Sequence, residues 1–486
     1  MAPSGWVSHL YRESGLRSVY ATGPDAWLVI LSRSCRMFAY GSTSLVLALF
    51  FAELHVSDEH IGLFMTLTLA GDVVLSLLLT LVADKVGRRR TLFGGSVLMI
   101  LSGATFAVCE NYWVLLLAAV VGVISASGGD FGPFRAIEES TVSELTSPNT
   151  RADVLVWYVT MSSLGSSVGI ACSGWAIEWL HRTRSWTLLD AYHATFWLYV
   201  VMGTVNLLAS MLLSAKCELK KRDAAVPADP IVESEPFLAD SSSDDGNEAR
   251  YGQTPHSGRT AWVSQISIPT LKIMLALWFL LMVDSLADGM VSMSLTTYYL
   301  DLKFHLSKSS LGDMISIGYF LASLSTIFAG PLSRRIGLVN TMVFTHIPSS
   351  AAVLIFPFPQ SVGLTFALLL LRLGLNNMDQ APRAALIAAV VKAEERTAVM
   401  GITGMLRTLA STVGPTVTGI LSGSDKFWIA FVVAGALRLA YDLGLFAMFI
   451  NIELYKHEPN KESAGEACDD IGLRQTSRTT EDEERI

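Results

Sequence analysis

Twelve apolar runs, each near the length needed to cross a bilayer, dominate the chain. A run of about 20 such residues spans the hydrocarbon core. No water is available there, so each crossing segment must satisfy its own backbone, which selects the α-helix. The runs fall at roughly 27–53, 59–82, 91–109, 112–141, 153–179 and 191–214, then 270–299, 310–330, 339–357, 361–391, 398–422 and 427–452. Charged residues make up 16% of the chain, against about 25% in soluble domains. The expected class is an all-α, multi-pass membrane protein with the lipid bilayer as its main partner.

Loop charge sets the expected topology. One side carries Lys85 and Arg88 to Arg90, Arg151, Lys216 to Arg222, Arg334, Arg335, Lys392 and Arg396. The other carries only Arg182, Arg184, Lys303, Lys308 and Lys426. Basic loops stay in the cytoplasm, which places both termini inside. The plasma membrane is the expected location. Residues 1–26 form a short tail without the pattern of a signal peptide, 27–215 and 269–452 are six-helix units, and 216–268 and 453–486 are polar segments. The linker centre, 224–257, is rich in Pro, Asp, Glu and Ser and cannot bury a core. Ser241 to Ser243 lie beside Asp244 and Asp245, so a solvating tether and a phosphorylation site are both open readings.

Several classes drop out. Cys35, Cys109, Cys172, Cys217 and Cys468 are scattered, with no metal-ligand or disulfide spacing, and no cofactor or metal is expected. No basic patch suggests nucleic acid. No GK[ST] phosphate loop supports ATP-driven transport or another enzyme activity.

The two halves repeat each other. Ile61-Gly62 and Val86-Gly87 recur at an offset of 250 as Leu311-Gly312 and Ile336-Gly337. At an offset of 245, Leu164, Val168, Gly169 and Gly174 recur as Leu409, Val413, Gly414 and Gly419. Pro133-Phe134-Arg135-Ala136 is echoed by Pro382-Arg383-Ala384. Parallel six-helix repeats with a site at the midplane between them are the layout of a rocking transporter.

These features resemble the major facilitator superfamily. Its loop signature G-x-x-x-D-[RK]-x-G-[RK]-[RK] reads here as Thr80, Asp84, Lys85, Gly87, Arg88 and Arg89, with Thr80 for the opening glycine. The second copy is Gly330, Arg334, Arg335 and Gly337, with Arg334 for the acid. The antiporter signature G-x-x-x-G-P-x-x-G-G is partly kept as Gly165, Gly169, Ser173 and Gly174, and its proline appears at Gly414-Pro415 instead. The resemblance covers residues 27–452 and leans toward fungal-type drug:proton antiporters. It implies the major facilitator fold, a monomer, alternating access, and a small-molecule substrate exchanged against protons. Efflux is the first reading, uptake of a nutrient or organic anion the alternative, and a non-transporting sensor a third. It also implies a conformational latch of Asp84, Gly87, Arg88, Arg334 and Arg335, with Asp84 meeting the start of the eleventh helix.

Charged residues inside spans are costly and point to function. In the tenth span Arg372, Asn376, Asn377, Asp379, Gln380 and Arg383 include one helical face. That face cannot meet lipid and should line the cavity. In the seventh span Asp284 and Asp288 are one turn apart. They would repel in a low dielectric, so one holds a proton more readily, as coupling requires. Alternatively Arg33, Arg36 or Arg407 neutralises one of them. Glu138 and Glu139 share Arg135 and rival that pair. Asp72 is either protonatable or paired with Arg407. Arg36 and Tyr40 are cavity candidates, and Arg33 reads as a snorkelling side chain. The Gly/Ser-rich fifth and eleventh spans read as close helix packing. Tyr298 and Tyr299 read as interfacial anchors.

Overall fold

The computed structural model describes residues 16–122, 124, 133–146, 148–214, 217, 268–391 and 396–449. A short helix α1 (Leu16–Thr22) precedes α2 (Pro24–Glu53), α3 (Asp58–Val86), α4 (Arg88–Val108), α5 (Tyr112–Gly122), α6 (Pro133–Leu145), α7 (Pro148–Arg184) and α8 (Leu188–Leu212). The second half holds α9 (Ile268–Met290), α10 (Met293–Phe304), α11 (Lys308–Ile336), α12 (Leu338–Ile355), α13 (Val362–Asn376), a 3-10 turn at Asn377–Asp379, α14 (Gln380–Val390), α15 (Arg396–Gly423) and α16 (Phe427–Phe449). The polar linker and tail expected at 216–268 and 453–486 lie outside the described residues, Cys217 and Ile268 apart.

Helices occupy the described part of every expected span. Seven of the described helices are long and apolar enough to cross a membrane unaided: α2, α4, α7, α8, α9, α12 and α16. The remaining five spans are α3, α5 with α6, α11, α13 with α14, and α15. The seventh and tenth spans are not continuous. The seventh breaks at Val291–Ser292 between α9 and α10, and the tenth tightens into the 3-10 turn. Irregular backbone survives at membrane depth only when protein groups satisfy it. Here the Arg372 guanidinium donates to the freed Val291 carbonyl.

Packing repeats with the sequence. In the first half α2 lies on α7 and α4 on α8; in the second α9 lies on α15 and α12 on α16. The halves meet along α3–α15, α7–α11 and α2–α10. Gly87 and Gly337, at equivalent positions, have φ of 101° and 89°. Both sit between consecutive helices and lead directly into α4 and α12. With ψ of 140° and 161° they occupy a region that essentially only glycine tolerates. We therefore expect Gly87→Ala and Gly337→Ala each to cost about 1–3 kcal/mol, read as a lower Tm of the purified protein in detergent.

The loops 54–57, 185–187, 305–307 and 424–426 lie on one face, opposite the side where the chain enters α2. This distal face is closed by contacts between the halves. Asp58 accepts from the Tyr298 hydroxyl at 2.8 Å and from Ser422 Oγ at 2.5 Å. Trp175 Nε1 donates to Asp313 at 2.8 Å, and the Lys308 amide donates to Glu178 at 3.0 Å. About two turns deeper, Thr416 bonds Thr66 at 2.7 Å and Ser167 bonds Ser316 at 3.0 Å. Tyr298 and Tyr299 are buried rather than anchored at an interface. Tyr299 packs on Phe431 with ring centroids 4.5 Å apart, because α10 is turned inward against α2.

Candidate functional site

Two polar clusters sit inside the bundles, one in each half. In the first, α2 presents Arg36 to Glu138 on α6 as a bidentate pair, with N–O distances of 2.8 and 2.6 Å. Tyr158 on α7 donates to the same carboxylate at 2.8 Å, and Arg33 donates to the Tyr158 hydroxyl at 2.6 Å. Arg33 also lies over the Tyr158 ring, 4.2 Å from its centroid, and Arg36 over Phe134. All of these side chains are buried. Arg33 is therefore not a snorkelling residue: α7 and α8 both cover α2, and Tyr158 replaces the water it would otherwise seek. Tyr40 and Arg36 line a small cleft with Ser96, Phe134 and Asn206. Glu139 is held apart, paired with Arg135 at 2.7 Å in a half-exposed i,i+4 bridge. Asp72 is buried near Tyr199, which also feels the charge of Arg36.

The second cluster is larger and joins six segments. Asp284 and Asp288 come from α9, His346 and Ser350 from α12, Asn376 and Arg372 from α13, Asp379 and Arg383 from the 3-10 turn and α14, and Arg438 and Asp442 from α16. Arg438 is fully buried and is the hub. It donates to Asp288 at 3.1 Å, to His346 Nε2 at 2.7 Å and to Asn376. Its Nε lies 4.0 Å from Asp284. His346 Nδ1 is 2.7 Å from Asp442, which also accepts from Ser350 at 2.8 Å. Arg383 bridges Asp379 at 3.0 Å and approaches Asp284 at 3.8 Å.

The structure thus brings together Asp284, Asp288, Asn376, Asp379 and Arg383, and adds His346, Arg438 and Asp442. The partner of Asp288 is Arg438, not Arg33, Arg36 or Arg407. Arg407 bonds Ser285 at 3.1 Å and lies in the field of Asp284 and Asp379. Its expected pairing with Asp72 is replaced by contacts within its own half. Arg372 points to the α9–α10 break, bonding Thr296 at 3.0 Å. Because the 3-10 turn rotates the stripe, Gln380 and Asn377 bond each other at 3.1 Å, with Gln380 exposed. Of the latch residues, Arg88 is buried and Arg335 exposed. The Asp84 and Arg334 side chains, and the contact expected for Asp84, lie outside what the structure describes.

Charge is balanced in this second cluster. Asp284, Asp288, Asp379 and Asp442 face Arg372, Arg383, Arg407 and Arg438, with His346 among them. Asp288 has a side chain 47% exposed, so the cluster opens at that edge. Among the described residues no group of His, Cys, Asp and Glu could hold a metal ion.

Comparison with known proteins agrees with this architecture. A family model described as Major Facilitator Superfamily matches residues 29–275 and 277–479. An uncharacterized membrane protein, YJR124C of Saccharomyces cerevisiae, is 31% identical over 439 residues, covering 88% of this chain and 95% of that protein. Among solved structures, the nucleoside transporter NupG superposes with a TM-score of 0.61 at 12% identity, covering 88% of this chain and 99% of that one. A bacterial homologue of the human lysosomal transporter Spinster, inward-facing and occupied, gives 0.63 at 13% identity over 88% and 96% of the two chains. A proton-dependent oligopeptide transporter gives 0.60 at 13% identity over 88% and 98%.

Proposed function

The chain belongs to the major facilitator superfamily, and from that premise we propose that it is a proton-coupled secondary transporter of a small organic solute, working by alternating access. The observation that carries this reading is the buried cluster around Arg438. Ionisable groups at membrane depth are expensive, and proton relays are one of the few uses that retain them. Here a carboxylate with a partly exposed side chain, Asp288, shares its arginine with a histidine. A solute that engages Asp288 or Asn376 disturbs the same arginine that holds His346, so solute and proton communicate through one side chain. Exchange of solute for proton, hence export, follows most directly from such sharing. The arginines of this cluster do not call for an anionic substrate, because its carboxylates match them in number.

The closed distal face supports the alternating-access part of the reading. On the topology expected from loop charge, this is the external side, and the central cluster would then be reached from the cytoplasm.

The test is solute flux in proteoliposomes with and without an imposed pH gradient, over a panel of small organic solutes. Gradient-driven flux is expected for at least one solute. Asp288→Asn should lower it by about tenfold or more, the equivalent of roughly 1.4 kcal/mol of lost coupling. Flux that ignores the gradient for every transported solute would overturn proton coupling.

A further inference from the structure

We infer that His346 carries the coupling proton, and that taking it up exchanges the Nε2 partner of the ring from Arg438 to Asp284. This rests on the proton-coupled reading above and identifies the group that performs it.

The argument starts from what each atom can do. A guanidinium has donors only and no lone pair to offer. Arg438 lies 2.7 Å from His346 Nε2, so in this state Nε2 must be the acceptor and carry no hydrogen. A neutral imidazole then bears its hydrogen on Nδ1, which is 2.7 Å from Asp442 and donates to it. Ser350 donates to the other oxygen of Asp442 and so holds that carboxylate in place. Both nitrogens therefore agree on one neutral tautomer.

The second observation is Asp284. Its Oδ1 is buried and makes no hydrogen bond among the described residues. A buried acceptor left unsatisfied costs about 1–3 kcal/mol, and more when charged. That oxygen faces His346 Nε2 at 3.7 Å, just beyond hydrogen-bond range. A hydronium ion entering from solvent gives its proton to the Nε2 lone pair: the N–H bond forms as the O–H bond breaks, and water is released. The new N–H cannot accept from Arg438, and the two donors at 2.7 Å must separate. It can donate to Asp284 after a shift of under about 1 Å. The unsatisfied oxygen gains its partner, and Arg438 keeps Asp288 and Asn376.

The groups surrounding the ring are consistent with this exchange. Arg438, Tyr441 and Asp442 face it from α16, with the Tyr441 ring set edge-on at 5.6 Å. Asp284 faces it from α9, with Asp288 behind Arg438. Asn376 reaches Arg438 from α13, and Arg372 adds a repelling charge to that arginine. Arg383 and Arg407, from α14 and α15, act on Asp284. Without its proton the ring completes a charge-balanced set. With it, the set gains one positive charge next to the carboxylate best placed to answer it. Asp284 and Asp288 stand just before the α9–α10 break, and α10 packs on α2 of the other half. A changed pull on α9 is thus applied at the joint between the halves.

The direct test is 15N NMR of the full-length chain, carrying labelled histidine, in lipid nanodiscs. The chain has 9 histidines, and His346→Gln assigns the signal. At about pH 8 the ring should be neutral with hydrogen on Nδ1, and it should become imidazolium as pH falls toward about 5. In Asp284→Asn, which weakens the partner of the charged form, that transition should move to lower pH. A ring that stays neutral throughout, that carries hydrogen on Nε2 at the upper pH, or whose transition ignores Asp284→Asn overturns the inference. Flux in proteoliposomes separates the two readings. If flux follows the pH gradient while His346 stays neutral, this inference falls and proton coupling stands. If no flux follows the gradient, both fall, whatever His346 does.

Discussion

Gly419→Leu is expected to hold the protein open at its distal face and to stop transport. Gly62 on α3 and Gly419 on α15 touch backbone to backbone: a methyl carbon built on either would lie 2.9 Å from the Cα of the other. At Gly419 the same carbon would sit 2.6 Å from the Asp58 carbonyl oxygen. These are backbone atoms, so no side chain can swing aside. Overpacking of this kind costs about 1–3 kcal/mol in a rigid core, and leucine adds three more carbons. The halves can escape the clash by parting, which moves the strain into the conformational equilibrium. A few kcal/mol there shifts populations by roughly 10- to 150-fold. The equivalent pair on the other side, Gly174 and Gly312, makes the same contact at 3.1 Å between α7 and α11, so Gly312→Leu should behave alike. Cysteine-probe labelling from the distal side should rise in Gly419→Leu, and proteoliposome flux should fall to background. Labelling unchanged from wild type, with flux retained, would show that the glycine contacts do not hold the distal face closed.

Those four glycines show how far a sequence can be read. Gly62 and Gly312, and Gly174 and Gly419, are recognisable as repeats because the same helix contact is built twice. Repetition does not reveal that they pair crosswise, one from each half; that is a property of how the halves face each other. The twelve spans are legible because hydrocarbon thickness imposes a length and an apolar composition on each. The break at Val291–Ser292 is not, since neither residue disrupts a helix and the freed carbonyl is rescued by Arg372, which is 81 positions distant in sequence. The site follows the same division. Asp284, Asp288, Asp379 and Arg383 stand out because charges in apolar runs demand an explanation. Applied to α12 and α16, that rule also picks out His346, Arg438 and Asp442, each polar in an otherwise apolar helix. What it cannot supply is pairing. Arg407 looks as deep as Arg438 in the sequence, yet only Arg438 faces Asp288. Arg33 looks like a snorkelling residue from its depth, until α7 and α8 close over it.

Glu138→Gln should be the most destabilising single change in the first half. Its two oxygens receive both nitrogens of the Arg36 fork and the Tyr158 hydroxyl, with Arg33 a further 3.9 Å away. Removing the negative charge weakens the bidentate pair with Arg36 and the approach to Arg33, both buried, and breaking a buried pair costs about 3–5 kcal/mol. Glutamine keeps the shape, so the loss is one of charge rather than packing. The Tm in detergent should fall by several degrees, about what a few kcal/mol brings in a large domain, and most of the chain should fail to reach the membrane in cells. Arg36→Met with Glu138→Leu separates the two possible roles of the pair. Apolar replacement of both partners is often neutral for stability, while Arg33 retains Tyr158. If the pair only braces α2 against α6, the double variant regains both stability and flux. If Arg36 also meets solute in the cleft it lines with Tyr40 and Asn206, stability returns and flux does not.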